Sequence, residues 1–316
     1  MKKALTILII FATVLVFSAC SGKAEPTNAS VASSSSQLDS SGNPESDTGS
    51  IPSSDTSQTV SSQKSSSSKA ASSPSTSSEP QPPQQVTITI PEGFTLSQVG
   101  DRLQAHNICK KDDFVKATQT YDFSYYPLVK AIPANPNRCY RLEGYLYPDT
   151  YTFYVNMKPQ DAVGKFLRNA ESAIDGKYSY SGMTTDQVIT LASIIEREAD
   201  NPTDMKMVSS VFHNRLKQGM ILQADSTRDY CNNYLVPLFG SKFNKYYNTY
   251  PDRAPGLPVG AISNPGSDAL NAAAHPADTK YLYFATGTNH KYYYGTTMQE
   301  RNDQMKADNV TALYAD

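Results

Sequence analysis

Apolar and polar positions alternate at Val86-Thr-Ile-Thr-Ile90, so this stretch reads as a strand with one buried face, and Pro91-Glu-Gly93 ends it in a turn. Thr95 with Gln98 three residues on has the form of a capping box, and Val99 and Leu103 continue an apolar stripe, which predicts a helix. Asp112-Asp113-Phe114-Val115 starts another, and residues 159–173 and 184–199 carry two more helical patterns. In the last of these Thr184 and Gln187 repeat the capping box, and Val188, Leu191, Ala192 and Ile195 recur at the spacing of one helix face. Glu196 falls at the edge of that stripe, and Glu198 points roughly to the other side. Asn201-Pro202 supplies an N-cap with Pro in the first turn, opening a helix through Val208, Val211, Phe212 and Leu216 that Gly219 closes. Residues 142–154, rich in Tyr, read as strand and turn. Tyr281-Leu-Tyr-Phe-Ala-Thr286 and Lys291-Tyr-Tyr-Tyr294 flank Gly287-Thr-Asn-His290 as a hairpin.

The N-terminal pattern differs. Met1-Lys-Lys3, an apolar run over residues 4–17 and then Ser18-Ala19-Cys20 are built like an export signal, and the run is shorter than the ~20 residues a spanning helix needs. Small residues directly before a Cys resemble a bacterial lipoprotein signal, so residues 1–19 are expected to be removed and Cys20 to carry the lipid. An uncleaved signal anchor is the alternative. From Ser21 to about residue 85 the chain is dominated by Ser with Pro, Gln and Thr, and such a sequence buries too little apolar surface to offset the entropy of ordering. It is expected to be a disordered linker (20–85) with an r.m.s. span of roughly 45 Å.

The remaining residues suffice for one sizeable domain and a small one. A net charge of −2 and a pI near 6.1, without a basic cluster, argue against nucleic acid as partner. Beyond Cys20 there are Cys109, Cys139 and Cys231; their spacing and that of the four His do not suit a metal site. Cys109 and Cys139 are the expected disulfide pair, since both lie in or near the N-terminal subdomain.

Leu191-Ala-Ser-Ile-Ile-Glu-Arg-Glu-Ala199, Leu222-Gln-Ala-Asp-Ser-Thr227, Tyr247-Asn-Thr-Tyr250, Gly256-Leu-Pro-Val-Gly-Ala-Ile262 and Asn271-Ala-Ala-Ala-His-Pro276, with Leu142-Glu-Gly-Tyr-Leu-Tyr-Pro-Asp-Thr-Tyr151 before them, form an ordered set. In that order they resemble the MltG (YceG-like) family of membrane-attached endolytic murein transglycosylases, over roughly residues 86–302. The chain departs from the family pattern at Ser226, Val259 and Arg301. The resemblance implies an α+β fold, with a LysM-like subdomain (86–140) ahead of a mixed α/β catalytic domain (141–316). It implies cleavage of the MurNAc-β-1,4-GlcNAc bond of nascent glycan strands by the sugar's own C6 hydroxyl, without cofactor or metal, at the outer face of the cell membrane beside peptidoglycan synthases.

The chemistry needs an acid still protonated near neutral pH, and burial provides one by raising a carboxyl's pKa. The edge position of Glu196 is compatible with such burial, and the resemblance makes Glu196 the catalytic residue. Gln223, Asp225, Ser226 and Thr227 offer amide, carboxylate and hydroxyl groups for positioning sugar, with Tyr247, Asn248, Thr249, Tyr250 and Glu143 as further substrate contacts; Asp225 and Thr227 would equally serve as loop caps. His275 is expected to be structural or to support a neighbouring site residue, not to act as general base. Two alternatives stay open: a hydrolytic muramidase with Asp225 as second carboxylate, and a non-catalytic glycan-binding lipoprotein.

Overall fold

The structure, a computed structural model, describes residues 82–251 and 254–313. The expected signal segment, the lipidation at Cys20 and nearly all of the expected linker lie outside the described residues. Strand β1 (Gln85–Ile90) pairs antiparallel with β2 (Asp149–Tyr154), Ile88 opposite Tyr151 and Val86 opposite Phe153. The alternation decides the faces: Ile88, Ile90, Tyr151 and Phe153 are buried, whereas Thr87–Thr152 and Thr89–Thr150 join hydroxyls at 2.8 Å on the exposed side. Helix α1 (Leu96–Ala105) begins with the expected Thr95–Gln98 capping box, and α2 (Lys111–Thr120) and the short α3 (Pro127–Lys130) follow. Helix α4 (Pro159–Ile174) seats Phe166 edge-on against Tyr151 at 4.6 Å and against Phe114 of α2 at 6.2 Å. The strand that completes the strand–helix–helix unit is therefore drawn from beyond residue 140.

Helix α5 (Thr185–Ile195) starts at the expected Thr184–Gln187 box, and every residue from Val188 to Ile195 is buried. Helices α6 (Pro202–Lys217) and α10 (Ser267–Ala274) pack against it. Complete burial suits its sequence. Only Thr190 and Ser193 are polar there, and Ser193 Oγ donates to the Thr190 carbonyl (2.7 Å) and accepts from the Ile262 N–H (3.0 Å). Asn201 caps α6 through the N–H groups of Thr203 and Asp204, and Gly219 closes it with φ +66.

Beyond Gly219 the chain runs through α7 (Asp225–Tyr230), a π-helical turn (Cys231–Leu235), α8 (Val236–Phe239), a 3₁₀ turn (Gly240–Phe243) and α9 (Asn244–Tyr247). The expected hairpin forms from β3 (Tyr283–Thr286) and β4 (Tyr292–Gly295), covered by α11 (Met298–Ala307). The fold thus mixes helices with two small antiparallel sheets among the described residues, and one apolar core runs from Ile88 to Ala274. Cys109, Cys139 and Cys231 are each unbonded, so the expected Cys109–Cys139 pair is not formed; burial pushes their thiols up to about 11, 12 and 11.

Candidate active site

A groove of about 480 Å³ opens where the end of α5 meets segment 222–227, Tyr250 and the β3–β4 hairpin. Past Ile195 the helix tightens: the N–H groups of Arg197 and Glu198 reach back three residues, to Ile194 and Ile195, each at 3.0 Å. Glu198 is thereby delivered to the groove. Its Oε1 accepts from Ser226 Oγ (2.6 Å) and the Ser226 N–H (3.3 Å), while Oε2 accepts no hydrogen bond among the described residues. Burial pushes this carboxyl up to about 7; the Ser226 bonds pull the other way, and the nearby Asp225 adds to the rise.

Glu196 lies elsewhere. Its Oε2 accepts from the Gly266 N–H (3.0 Å) just ahead of α10, its Cγ lies beside Gly93, and Glu92 and Asp268 are close enough to act on it. Burial raises it to about 7 as well, so acidity does not distinguish the two residues. Placement does: Glu198 lines the groove and shares it with Gln223, Asp225, Ser226 and Tyr250, whereas Glu196 does not line it. The expectation that assigned the acid to Glu196 came from the family resemblance, with the edge of a one-sided apolar stripe as its compatible setting. Because α5 is buried all around, that stripe marks no solvent boundary.

The substrate segment divides in two. Gln223, at φ +50, is exposed to the groove; Asp225 Oδ1 accepts from Tyr250 Oη (2.5 Å) and pairs with Arg228 (2.6 Å). Thr227 and Thr249, in contrast, are enclosed. Thr227 is wholly buried, donates to the Ala224 carbonyl (2.7 Å) and meets Thr249 Oγ1 at 3.0 Å, so the pair staples the two segments and does not line the groove. Tyr247 is likewise a core residue, its hydroxyl accepting from the Cys139 N–H, and Asn248 Oδ1 accepts from the Tyr250 N–H to shape the turn.

Glu143 is 1 % exposed and accepts from the Leu96 N–H (2.8 Å) at the start of α1 and from Tyr230 Oη (3.1 Å). It is an internal tie between α1 and α7 that does not line the groove, and burial pushes it up to about 7. His275 lies exposed at the end of α10 and does not line the groove. Gly256, Leu257 and Pro258 line a different pocket, of about 410 Å³, with Tyr180 and His213.

Sequence reasoning missed Arg215, which donates to the carbonyls of Leu222 (2.8 Å) and Leu282 (2.6 Å) and so fixes the substrate segment against the hairpin. A signal was present, since Arg215 continues the Val208, Val211, Phe212 stripe of α6 as its one cation. Tyr292 was also missed; its hydroxyl donates to the Glu198 carbonyl (2.8 Å) and holds the end of α5 from the hairpin side. Arg301 lines the groove from α11, with its guanidinium on the Phe284 carbonyl (3.2 Å) and on Asn302.

The family model described as "YceG-like family" matches residues 61–307. A protein of Streptococcus pneumoniae named endolytic murein transglycosylase is 29% identical over 258 residues, 74% of this chain and 46% of that protein. One of the same name from Bacillus subtilis is 30% identical over 229 residues, 68% of this chain and 63% of that protein. The chain thus spans about half to under two thirds of the length of these curated relatives. A crystal structure of a YceG-like protein from Listeria monocytogenes superposes with a TM-score of 0.59 at 34% identity, covering 69% of this chain and 75% of that one.

Proposed function

The chain belongs to the YceG-like family, and from that premise we propose that its groove cleaves peptidoglycan glycan strands as a lytic transglycosylase, with Glu198 as the acid. The observation that carries this reading is the Glu198 carboxyl, raised to about 7 and engaged by Ser226 through Oε1 alone. Because Oε1 already accepts twice, the acid proton belongs on Oε2. From there it passes to the glycosidic oxygen as that bond breaks, and the carboxylate left behind takes the proton of the sugar's C6 hydroxyl as it closes on C1. No water is consumed, and a nucleophile carried by the substrate itself brings a large effective molarity. One carboxyl then serves as acid and as base, where hydrolytic glycosidases use two.

A hydrolytic route would need Asp225 as base, and its Oδ1 is already engaged by the Tyr250 hydroxyl and the Arg228 guanidinium. Gln223 and Tyr250 face the groove as sugar-positioning groups, the amide for hydroxyls and the ring for an apolar pyranose face. The curated relatives' name supports murein as the substrate class. Held through a lipid on Cys20, the chain would work at the outer face of the cell membrane, with peptidoglycan synthases as neighbours. The Ser18-Ala19-Cys20 junction supports that anchoring, and its test is Cys20→Ala, which should abolish fatty-acid labelling. For the reaction, the test is to digest purified glycan strands and weigh the products. Anhydro ends, lighter than hydrolysis products by one water, are expected, and reducing ends or intact strands would overturn the reading.

A further inference from the structure

Helix α7 carries Asp225 and Ser226 at the groove, and its continuation ends in a different kind of surface. Six consecutive residues, Pro237 to Lys242, are exposed, and two of them are large and apolar: Leu238 at 64 % and Phe239 at 40 %. Gly240, at φ +59, turns the chain back. Lys242 and Lys245 follow, both exposed and without an ion-pair partner among the described residues, their ammoniums lying over the rings of Phe243 and Tyr246. The neighbouring loop belongs to the same face, since the Tyr140 ring meets Phe239 edge-on at 6.0 Å and Lys242 acts on the Cys139 thiol. That loop exposes Pro133, Ala134 and Pro136. Neither residues 131–141 nor residues 231–251 contain an Asp or Glu, in a chain with 30 of them.

We infer that the Leu238–Phe239 tip docks on an anionic lipid surface, its two side chains entering the acyl boundary and Lys242 and Lys245 meeting the headgroups. This contact is separate from any attachment at Cys20 and does not depend on the proposed reaction. An exposed apolar turn followed by lysines on aliphatic stems divides as a bilayer interface does, apolar below and cationic at headgroup depth. Charge selects the occupant. Two copies of this chain meeting face to face would bring four lysines together with no carboxylate between them, whereas anionic lipid neutralises them. From Asp225 to Phe239 the helical run is on the order of 20 Å, so docking would hold the groove about that far from the lipid.

Hydrogen exchange of the full chain, read peptide by peptide, tests this with phosphatidylglycerol vesicles, phosphatidylcholine vesicles and no lipid. Exchange over residues 236–243 should slow several-fold on phosphatidylglycerol and much less on phosphatidylcholine. Leu238→Ser/Phe239→Ser and Lys242→Glu/Lys245→Glu should each lose that slowing, with exchange in α5 and α6 unchanged as the sign of an intact fold. No slowing on phosphatidylglycerol, equal slowing on both lipids, or slowing that grows with protein concentration in the absence of lipid would overturn the inference, the last by pointing to a second copy.

Discussion

Glu196 and Glu198 stand two residues apart, and burial raises both carboxyls to about 7, yet they meet different partners. Glu196 holds the entry to α10 through Gly266, and Glu198 faces Ser226 across the groove. Ser226 gives Glu198 two hydrogen bonds, from its backbone and its hydroxyl, and both favour the ionised form. Removing the hydroxyl should therefore raise the Glu198 pKa further. For Ser226→Ala the prediction is that the alkaline fall in cleavage rate moves to higher pH, which a pH–rate profile on glycan strands would reveal; a shift to lower pH would contradict it. Glu143 offers a second test at this scale. Glu143→Ala strands the Leu96 N–H and the Tyr230 hydroxyl in the core, and each unsatisfied group costs roughly 1–3 kcal/mol. Chemical denaturation should show that loss without a change in the pH dependence of cleavage.

At the scale of elements, the capped helices and the alternating strand were legible because their signals are local. Thr95–Gln98 and Thr184–Gln187 form their boxes, Asn201-Pro202 opens α6, and Val86 to Ile90 alternates as a half-buried strand does. What was not legible depends on tertiary contact. The partner of β1 lies some sixty residues away, and α7 to α9 are short pieces too brief to show a periodic pattern. The place of Glu198 in the groove was not legible for a related reason: spacing gives the side of a helix on which a residue lies, but the side on which the groove opens is set by segment 222–227 packing beside the end of α5.

Gly144, within the Leu-Glu-Gly-Tyr segment, could be quoted from the sequence but not explained by it. The structure supplies the reason: φ is +90, and a Cβ would stand 2.5 Å from the Ala261 Cβ and 3.0 Å from Ile189 Cγ2. Gly144→Ala should thus lose about 2–4 kcal/mol from combined backbone strain and overpacking, measurable by denaturant titration. Gly266→Ala should cost far less, since the nearest atoms its Cβ would meet all belong to the exposed side chain of Glu92, which can turn aside.

Taken as a whole, the molecule keeps three carboxyls, Glu143, Glu196 and Glu198, at about 7 within one folded unit. The folded chain holds protons that the unfolded chain releases near the ordinary value of 4.5, so these groups lower stability as pH rises through that interval. His213 acts in the opposite sense, because burial lowers its pKa and stability is lost as pH falls below its ordinary 6.5. Glu143→Gln isolates one contribution while keeping an acceptor for the Leu96 N–H. Its stability relative to the parent chain should rise with pH between about 5 and 7 by on the order of 1–3 kcal/mol, and a difference independent of pH would contradict the assignment.

The central claim is that Glu198, and not Glu196, supplies the proton. Both can be changed to Gln, which keeps the shape and a hydrogen-bonding oxygen while removing the acid. The decisive measurement is the rate of release of anhydro ends from purified glycan strands by Glu198→Gln and Glu196→Gln, prepared and assayed side by side. Glu198→Gln should remain folded and lose roughly 10²–10⁴ in rate, while Glu196→Gln keeps most of its activity. A dead Glu196→Gln enzyme that is properly folded, beside an active Glu198→Gln enzyme, would contradict the account.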